Sequence, residues 1–208
     1  MSVQLPNDPA RDDVLAGRPA LWLNPNLKAN GIADQSLPIR AAQVKEAEEN
    51  WQLLAPVLET CFPELKASKG RIQSKLIEAE DLRGALGYGT SEYGRVFVKA
   101  DGDLPVAGSI KARGGVYEVF MHAKKMAEKR GILTPGGDIT VLVGEQARAL
   151  FAQHTIAVGS TGNLGLSVGI AARALGFRAV VHMSSDAKQW KVDRLTRCLL
   201  YTSPSPRD

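Results

Sequence analysis

The run from His154 to Leu195 constrains the fold of this chain more than any other stretch. Thr155-Ile156-Ala157-Val158 reads as a short buried strand, and Gly159-Ser160-Thr161-Gly162-Asn163-Leu164-Gly165 as a glycine-rich turn. Leu166, Val168, Ile170, Ala171 and Ala174 then recur at helical spacing until Gly176 ends the pattern. Phe177 to Met183 predicts a second strand, and a further helix begins near Asp186. Strand, helix, strand in this order is a parallel crossover unit. An open α/β sheet follows, and such sheets bind ligands at the carboxyl ends of their strands.

The rest of the chain divides around that unit. Val44, Ala47, Trp51, Leu54 and Leu58 predict an amphipathic helix from about Pro38 until Pro63. Before it, Ala20 to Asn26 reads as a short anchored segment ended by turn residues. Ile72 to Leu86 is readable as strand or helix. Arg95 to Ala100 alternates as a strand does, and Val116, Phe120, Ala123 and Ala127 keep helical period up to Gly131. Val141 to Gln153 reads as another, less regular helix. We expect three regions: 1–94, a helical segment with the start of a large domain; 95–196, the α/β portion; and 197–208, a tail not native to the domain. A sheet that stops near Leu195 lacks strands, and Cys198 to Asp208 continues no pattern that precedes it.

Composition excludes several classes. With 208 residues, 44% hydrophobic and 23% charged, the chain has the make-up of a globular protein. Its densest basic group, Lys124, Lys125, Lys129 and Arg130, falls on the polar face of a helix without interleaved aromatics, so no nucleic-acid partner is expected. Cys61 and Cys198 lack the spacing of a disulfide framework or thiolate site, and His122, His154 and His182 lack metal-ligand spacing. The opening residues Met1 to Asp8 have no signal-peptide pattern, and no apolar stretch is long enough to span a bilayer. The expectation is a cytoplasmic protein with no metal and no membrane partner.

Lys111 is the residue that suggests chemistry. It stands in Ser109-Ile110-Lys111-Ala112-Arg113-Gly114-Gly115, a small-residue turn after an apolar strand and at the head of a helix. A free lysine amine has a pKa of about 10.4, so one that forms an imine is expected to be desolvated or otherwise stripped of its proton. A helix-start lysine paired with a carboxylate is the plainer alternative. The Ser160 to Gly165 turn is a natural cradle for a carboxylate or phosphate, because backbone amides at a helix start attract anions. Its glycines could equally serve close helix-to-sheet packing, or form a degenerate dinucleotide fingerprint with Asp186 as the ribose-binding acid. The lysine loop and the glycine turn on two strand ends of one sheet favour a joint site.

Together these residues carry a resemblance. Ser109-Ile110-Lys111-Ala112-Arg113-Gly114-Gly115 is similar to the cofactor-lysine motif of the pyridoxal-phosphate enzymes of the tryptophan-synthase-β type, and Ser160-Thr161-Gly162-Asn163-Leu164-Gly165 to their substrate loop. Pro105 to Glu118, Ala157 to Ser167 and Val181-His182-Met183-Ser184 resemble the D-serine dehydratase branch of that group, up to about Leu195. The resemblance implies pyridoxal-phosphate fold type II, with open twisted parallel sheets, incomplete here because the C-terminal part is missing. It implies pyridoxal 5'-phosphate as cofactor and an amino-acid substrate, D-serine, with D-threonine as a second candidate, converted by loss of water and ammonia to pyruvate.

Residue by residue, Lys111 would hold the cofactor and then transfer protons. Asn163 would hydrogen-bond the cofactor's phenolic oxygen, while Ser160, Thr161, Gly162 and Asn163 would bind the substrate. Arg113 would be structural, directed at a carboxylate or the sheet edge. The family's phosphate loop and pyridine-nitrogen partner lie downstream and have no counterpart here, which implies that the chain alone is inactive or binds the cofactor poorly. An L-serine or L-threonine dehydratase and a nicotinamide-dependent oxidoreductase are the alternatives; monomer and homodimer are not distinguished.

Overall fold

The computed structural model describes residues 10–24, 38–89, 94–185, 187–198 and 202–204. It forms two compact units, residues 1–44 and 45–208. In the first, α1 spans Arg11–Leu15, and Leu21, Trp22 and Leu23 are exposed. Pro25 and Asn26 of the same expectation lie outside the described residues.

Helix α2 (Ala41–Cys61) runs over the predicted range with Pro56 inside it. Its apolar stripe is buried only in its later part: Leu54, Val57 and Leu58 are inaccessible, whereas Val44 is 61% exposed. A single turn of 3-10 helix follows at Pro63–Leu65. Gly70 then brings the chain back against α2 with φ 76°. A side chain there would overlap the Ala55 carbonyl oxygen, so both the backbone conformation and the close approach require glycine.

The ambiguous Ile72 to Leu86 stretch contains both kinds of element. Strand β1 (Leu76–Glu78) is followed at once by α3 (Glu80–Ala85). Strand β2 (Phe97–Lys99) pairs with β1 antiparallel, Ile77 opposite Val98. This hairpin is a separate two-stranded sheet. The lysine loop and the glycine turn therefore do not sit on two strand ends of one sheet, as expected from sequence.

Beyond it, α4 (Lys111–Lys129) buries Ala112, Gly115, Val116, Val119, Phe120, Ala123 and Ala127, the predicted face with three additions. The next predicted helix is divided. A 3-10 segment spans Ile139–Val143, capped by the Asp138 carboxylate accepting from the Thr140 N–H at 2.9 Å, and α5 spans Glu145–Phe151. Gly144, extended at ψ 165°, separates the two.

The crossover unit forms as read. Strand β3 (Thr155–Gly159), α6 (Asn163–Leu175) and β4 (Arg178–Met183) follow in order, and the strands pair parallel with Ala157 opposite Val180. Gly176 closes α6 at φ 98°, a left-handed cap that suits glycine. β3 is not buried on both faces: Thr155, Ala157 and Gly159 are exposed while Ile156 and Val158 are half-buried. Helix α7 (Gln189–Cys198) precedes β5 (Thr202–Pro204), which extends the sheet in parallel beside β4. The core of this unit joins α2, α4, α5, α6 and β4, with Phe151 and Phe177 stacked at 4.5 Å and Phe62 tilted against Phe120 at 6.2 Å.

Candidate active site

Lys111 is the first residue of α4, and its N–H donates to Ser109 Oγ at 3.3 Å. The preceding turn is tightly wound: the Gly108 N–H donates to the Leu104 carbonyl at 2.9 Å, and Leu104 and Ala107 are buried. Lys111 itself is exposed, so the desolvation expected of it is not supplied by this chain. Among the described residues no hydrogen bond or ion pair engages its amine.

The glycine turn is built around one hydroxyl. Ser160 Oγ accepts from the Gly162 N–H at 3.2 Å and the Gly165 N–H at 3.0 Å, fixing the entry into α6. Two amides that the sequence offered to a ligand are thus turned inward, and Ser160 braces the loop. Gly165 answers to packing: an added Cβ would stand 2.7 Å from Val181 Cγ1 and 3.2 Å from Ser160 Cβ. Gly159, by contrast, faces open space. Thr161 and Asn163 are exposed, and among the described residues their side chains have no hydrogen-bond partner.

Helix packing brings these two regions together. A Cβ on Gly115 would lie 3.0 Å from Ser167 Cβ and 3.2 Å from Val168 Cγ2. Farther along, the rings of His122 and Phe177 are 6.3 Å apart. Early α4 thus meets early α6, and the middle of α4 meets Phe177 just past the end of α6, so the helices run in the same direction. Lys111 and Asn163, each four residues before its contact residue, fall at the same end of the pair. An amine, an amide and a hydroxyl are then presented at two adjacent helix starts, where backbone dipoles favour negative charge. That donor set fits a carbonyl cofactor and an amino-acid carboxylate.

A polar cluster underlies the lysine loop. Buried Ser74 donates to Asp101 Oδ1 at 2.6 Å, and Lys99 Nζ reaches the Ser74 hydroxyl, the Ser74 carbonyl at 3.2 Å and Asp101 Oδ1 at 3.4 Å. The Ser74 hydrogen bond, then Lys99 and the Arg113 charge, hold the Asp101 carboxyl below its ordinary range. Sequence reasoning missed Ser74 and Asp101, since neither lies in a motif and their meeting depends on the β1–β2 hairpin. Asp186, the ribose-binding alternative, lies outside the described residues.

Residues 68–198 match the family model described as pyridoxal-phosphate dependent enzyme. This is more than half of the chain, and the chain belongs to that family, whose cofactor is pyridoxal 5'-phosphate. Within it, the chain is similar to proteins described as probable D-serine dehydratase. It is 63% identical over 197 residues to that of Rhizobium etli (strain CIAT 652), covering 95% of this chain and 44% of the relative. It is 62% identical to that of Rhizobium leguminosarum bv. trifolii (strain WSM2304), covering 95% and 45%, and 48% identical to that of Acidovorax ebreus (strain TPSY), covering 93% and 45%. The chain therefore spans a little under half the length of these relatives. Among solved structures, Escherichia coli diaminopropionate ammonia lyase in its apo form is similar in fold, with a TM-score of 0.50 at 23% identity over 79% of this chain and 38% of that one. The family model that covers Gly159, Gly162 and Gly165 is one of pyridoxal-phosphate enzymes rather than nicotinamide-dependent ones. Among the described residues no helix is long and apolar enough to cross a membrane.

Proposed function

We propose that this chain is the lysine-bearing part of a lyase that removes water and ammonia from D-serine and leaves pyruvate. The observation that carries the proposal is the placement of Lys111 and Asn163 at one end of two helices that run in the same direction, in a chain 63% identical to a probable D-serine dehydratase. Lys111 would hold pyridoxal phosphate through its amine and, once released by the substrate amine, take the α-proton. When bound, the cofactor supplies an electron sink for the charge that develops at the α-carbon.

The other residues position and stabilise. Asn163 would hydrogen-bond the cofactor's phenolic oxygen, and the Thr161 hydroxyl with the first amides of α6 would hold the substrate carboxylate. Ser160 would serve both the loop and the substrate, since its hydroxyl accepts from Gly162 and Gly165 and keeps its own proton to donate to the substrate carboxylate. The β-hydroxyl departs as water with a proton, and hydrolysis of the remaining enamine releases ammonia and pyruvate. D-Threonine as a second substrate and a cytoplasmic setting belong to the same proposal.

The test uses the protein extended to the length of its relatives. Incubation with pyridoxal phosphate followed by borohydride should leave a covalent adduct on the Lys111 peptide, and D-serine should release pyruvate faster than L-serine. Lys111→Ala should lower that release by at least about a thousandfold. An adduct on another lysine, or faster release from L-serine, would overturn the assignment of the residue or of the substrate.

A further inference from the structure

The backbone between Asp101 and Lys111 is strained at one point. Val106 has φ 74°, a region that a β-branched residue rarely enters. The Ala107 N–H donates back to the Pro105 carbonyl at 3.0 Å, closing a three-residue γ-turn in its rare positive-φ form. Gly108 follows at φ 65°, where glycine is at ease. Valine is not.

Such a conformation persists only where its surroundings over-determine it, and it concentrates at functional sites. Both conditions are met. Upstream, Asp101 is tied to Ser74 and Lys99 at the end of the β1–β2 pair. On either side of Val106, Leu104 and Ala107 are sunk in the core at 3% and 0% exposure, and Val106 itself packs against that core. A return to negative φ would carry its side chain out of this contact. Downstream, α4 is held by Gly115 against α6. The chain is therefore clamped at both ends, and the turn at Val106 sets the direction in which Ser109 and Lys111 leave the core.

We propose that Val106 is a positioning residue whose positive-φ turn aims the Lys111 amine toward the Asn163 end of the helix pair. This inference rests on the reading of Lys111 given above. In the protein extended to its relatives' length, the rate at which pyridoxal phosphate and borohydride label the Lys111 peptide is measured alongside Tm. Val106→Gly removes the side chain whose contact with the core opposes a return to negative φ, so the turn can adopt either sign. Labelling should slow about tenfold, since small misplacements of a reacting group carry large rate penalties, while Tm stays level or rises. Val106→Asn, which tolerates positive φ, should restore the rate to within about threefold of the parent. Equal rates in the parent and Val106→Gly, equally slow labelling in both variants, or a slowing that tracks a fall in Tm would each overturn the proposal. A parent that takes no label on Lys111 would overturn the lysine assignment, and this inference with it.

Discussion

Gly115 of α4 and Ser167 of α6 are in contact so close that a Cβ on the glycine would lie 3.0 Å from the serine Cβ. Ser167 is fully buried, and its hydroxyl donates to the Asn163 carbonyl at 2.8 Å. One helical turn upstream of this contact stand Lys111 on one helix and Asn163 on the other. Gly115 thus sets the spacing between the two residues on which the proposed chemistry depends.

Neighbouring glycines should respond oppositely. Gly115→Val forces α4 and α6 apart and should destabilise the fold by about 1–3 kcal/mol. A Cβ on Gly114 meets nothing within 4 Å, so Gly114→Ala should stabilise by about 0.5–1 kcal/mol through helix propensity. Urea midpoints at constant m-value measure both.

Gly165 is set against a different neighbour. A Cβ there would stand 2.7 Å from Val181 Cγ1, on a valine that is itself fully buried. Gly165→Ala should cost about 1–3 kcal/mol by overpacking, and Val181→Ala in the same chain should recover part of that loss. A double-mutant cycle showing simple additivity would mean that the two side chains do not meet.

The Cys61 thiol should be inert at neutral pH. Burial pushes its pKa from the ordinary 9.0 up to about 11, against the smaller opposing effect of the Arg148 charge. Alkylation of Cys61 in the folded chain at pH 8, followed by peptide mapping, should be about a hundredfold slower than in urea. A raised pKa on an acid keeps the folded state protonated longer. Stability is unaffected below about pH 9 and falls between about 9 and 11, where the unfolded chain loses the proton first.

Asp101 should give the fold an acid sensitivity. Its carboxyl is held below the ordinary 3.8 first by the Ser74 hydrogen bond and then by Lys99 and Arg113. The stabilisation is present above that ordinary value and is lost as pH falls through it toward the depressed one. Asp101→Asn keeps the side-chain shape and removes the titration, so its urea midpoint should change less between pH 5 and pH 3 than that of the parent.

Much of this was legible where local periodicity is strong. The apolar spacing of Val116 to Ala127 and of Leu166 to Ala174 defined α4 and α6, and Gly176 marked a stop that the left-handed cap explains. Where two patterns compete, the sequence was undecided or misleading. Ile72 to Leu86 proved to be a strand and then a helix, and Gly144 divided one expected helix into two elements. The Lys111 motif was visible as a motif, yet its exposure was not, because desolvation depends on what packs over a residue rather than on its neighbours in sequence. Ser160 read as a ligand contact, and its bracing of the Gly162 and Gly165 amides was likewise invisible in spacing alone.

By itself, the sequence determined α2, α4, the parallel β3–α6–β4 unit and two motifs similar to those of pyridoxal-phosphate dependent enzymes, the family whose model the chain matches. Those features are written in spacing and residue type over a few turns of chain. Only the tertiary structure decided that Lys111 and Asn163 share one end of a helix pair, that β1–β2 stands apart from the parallel sheet, and that Val106 carries the strain before the lysine. Each of these depends on contacts between residues far apart in the chain, and such contacts are settled by close packing in three dimensions, which no local pattern encodes.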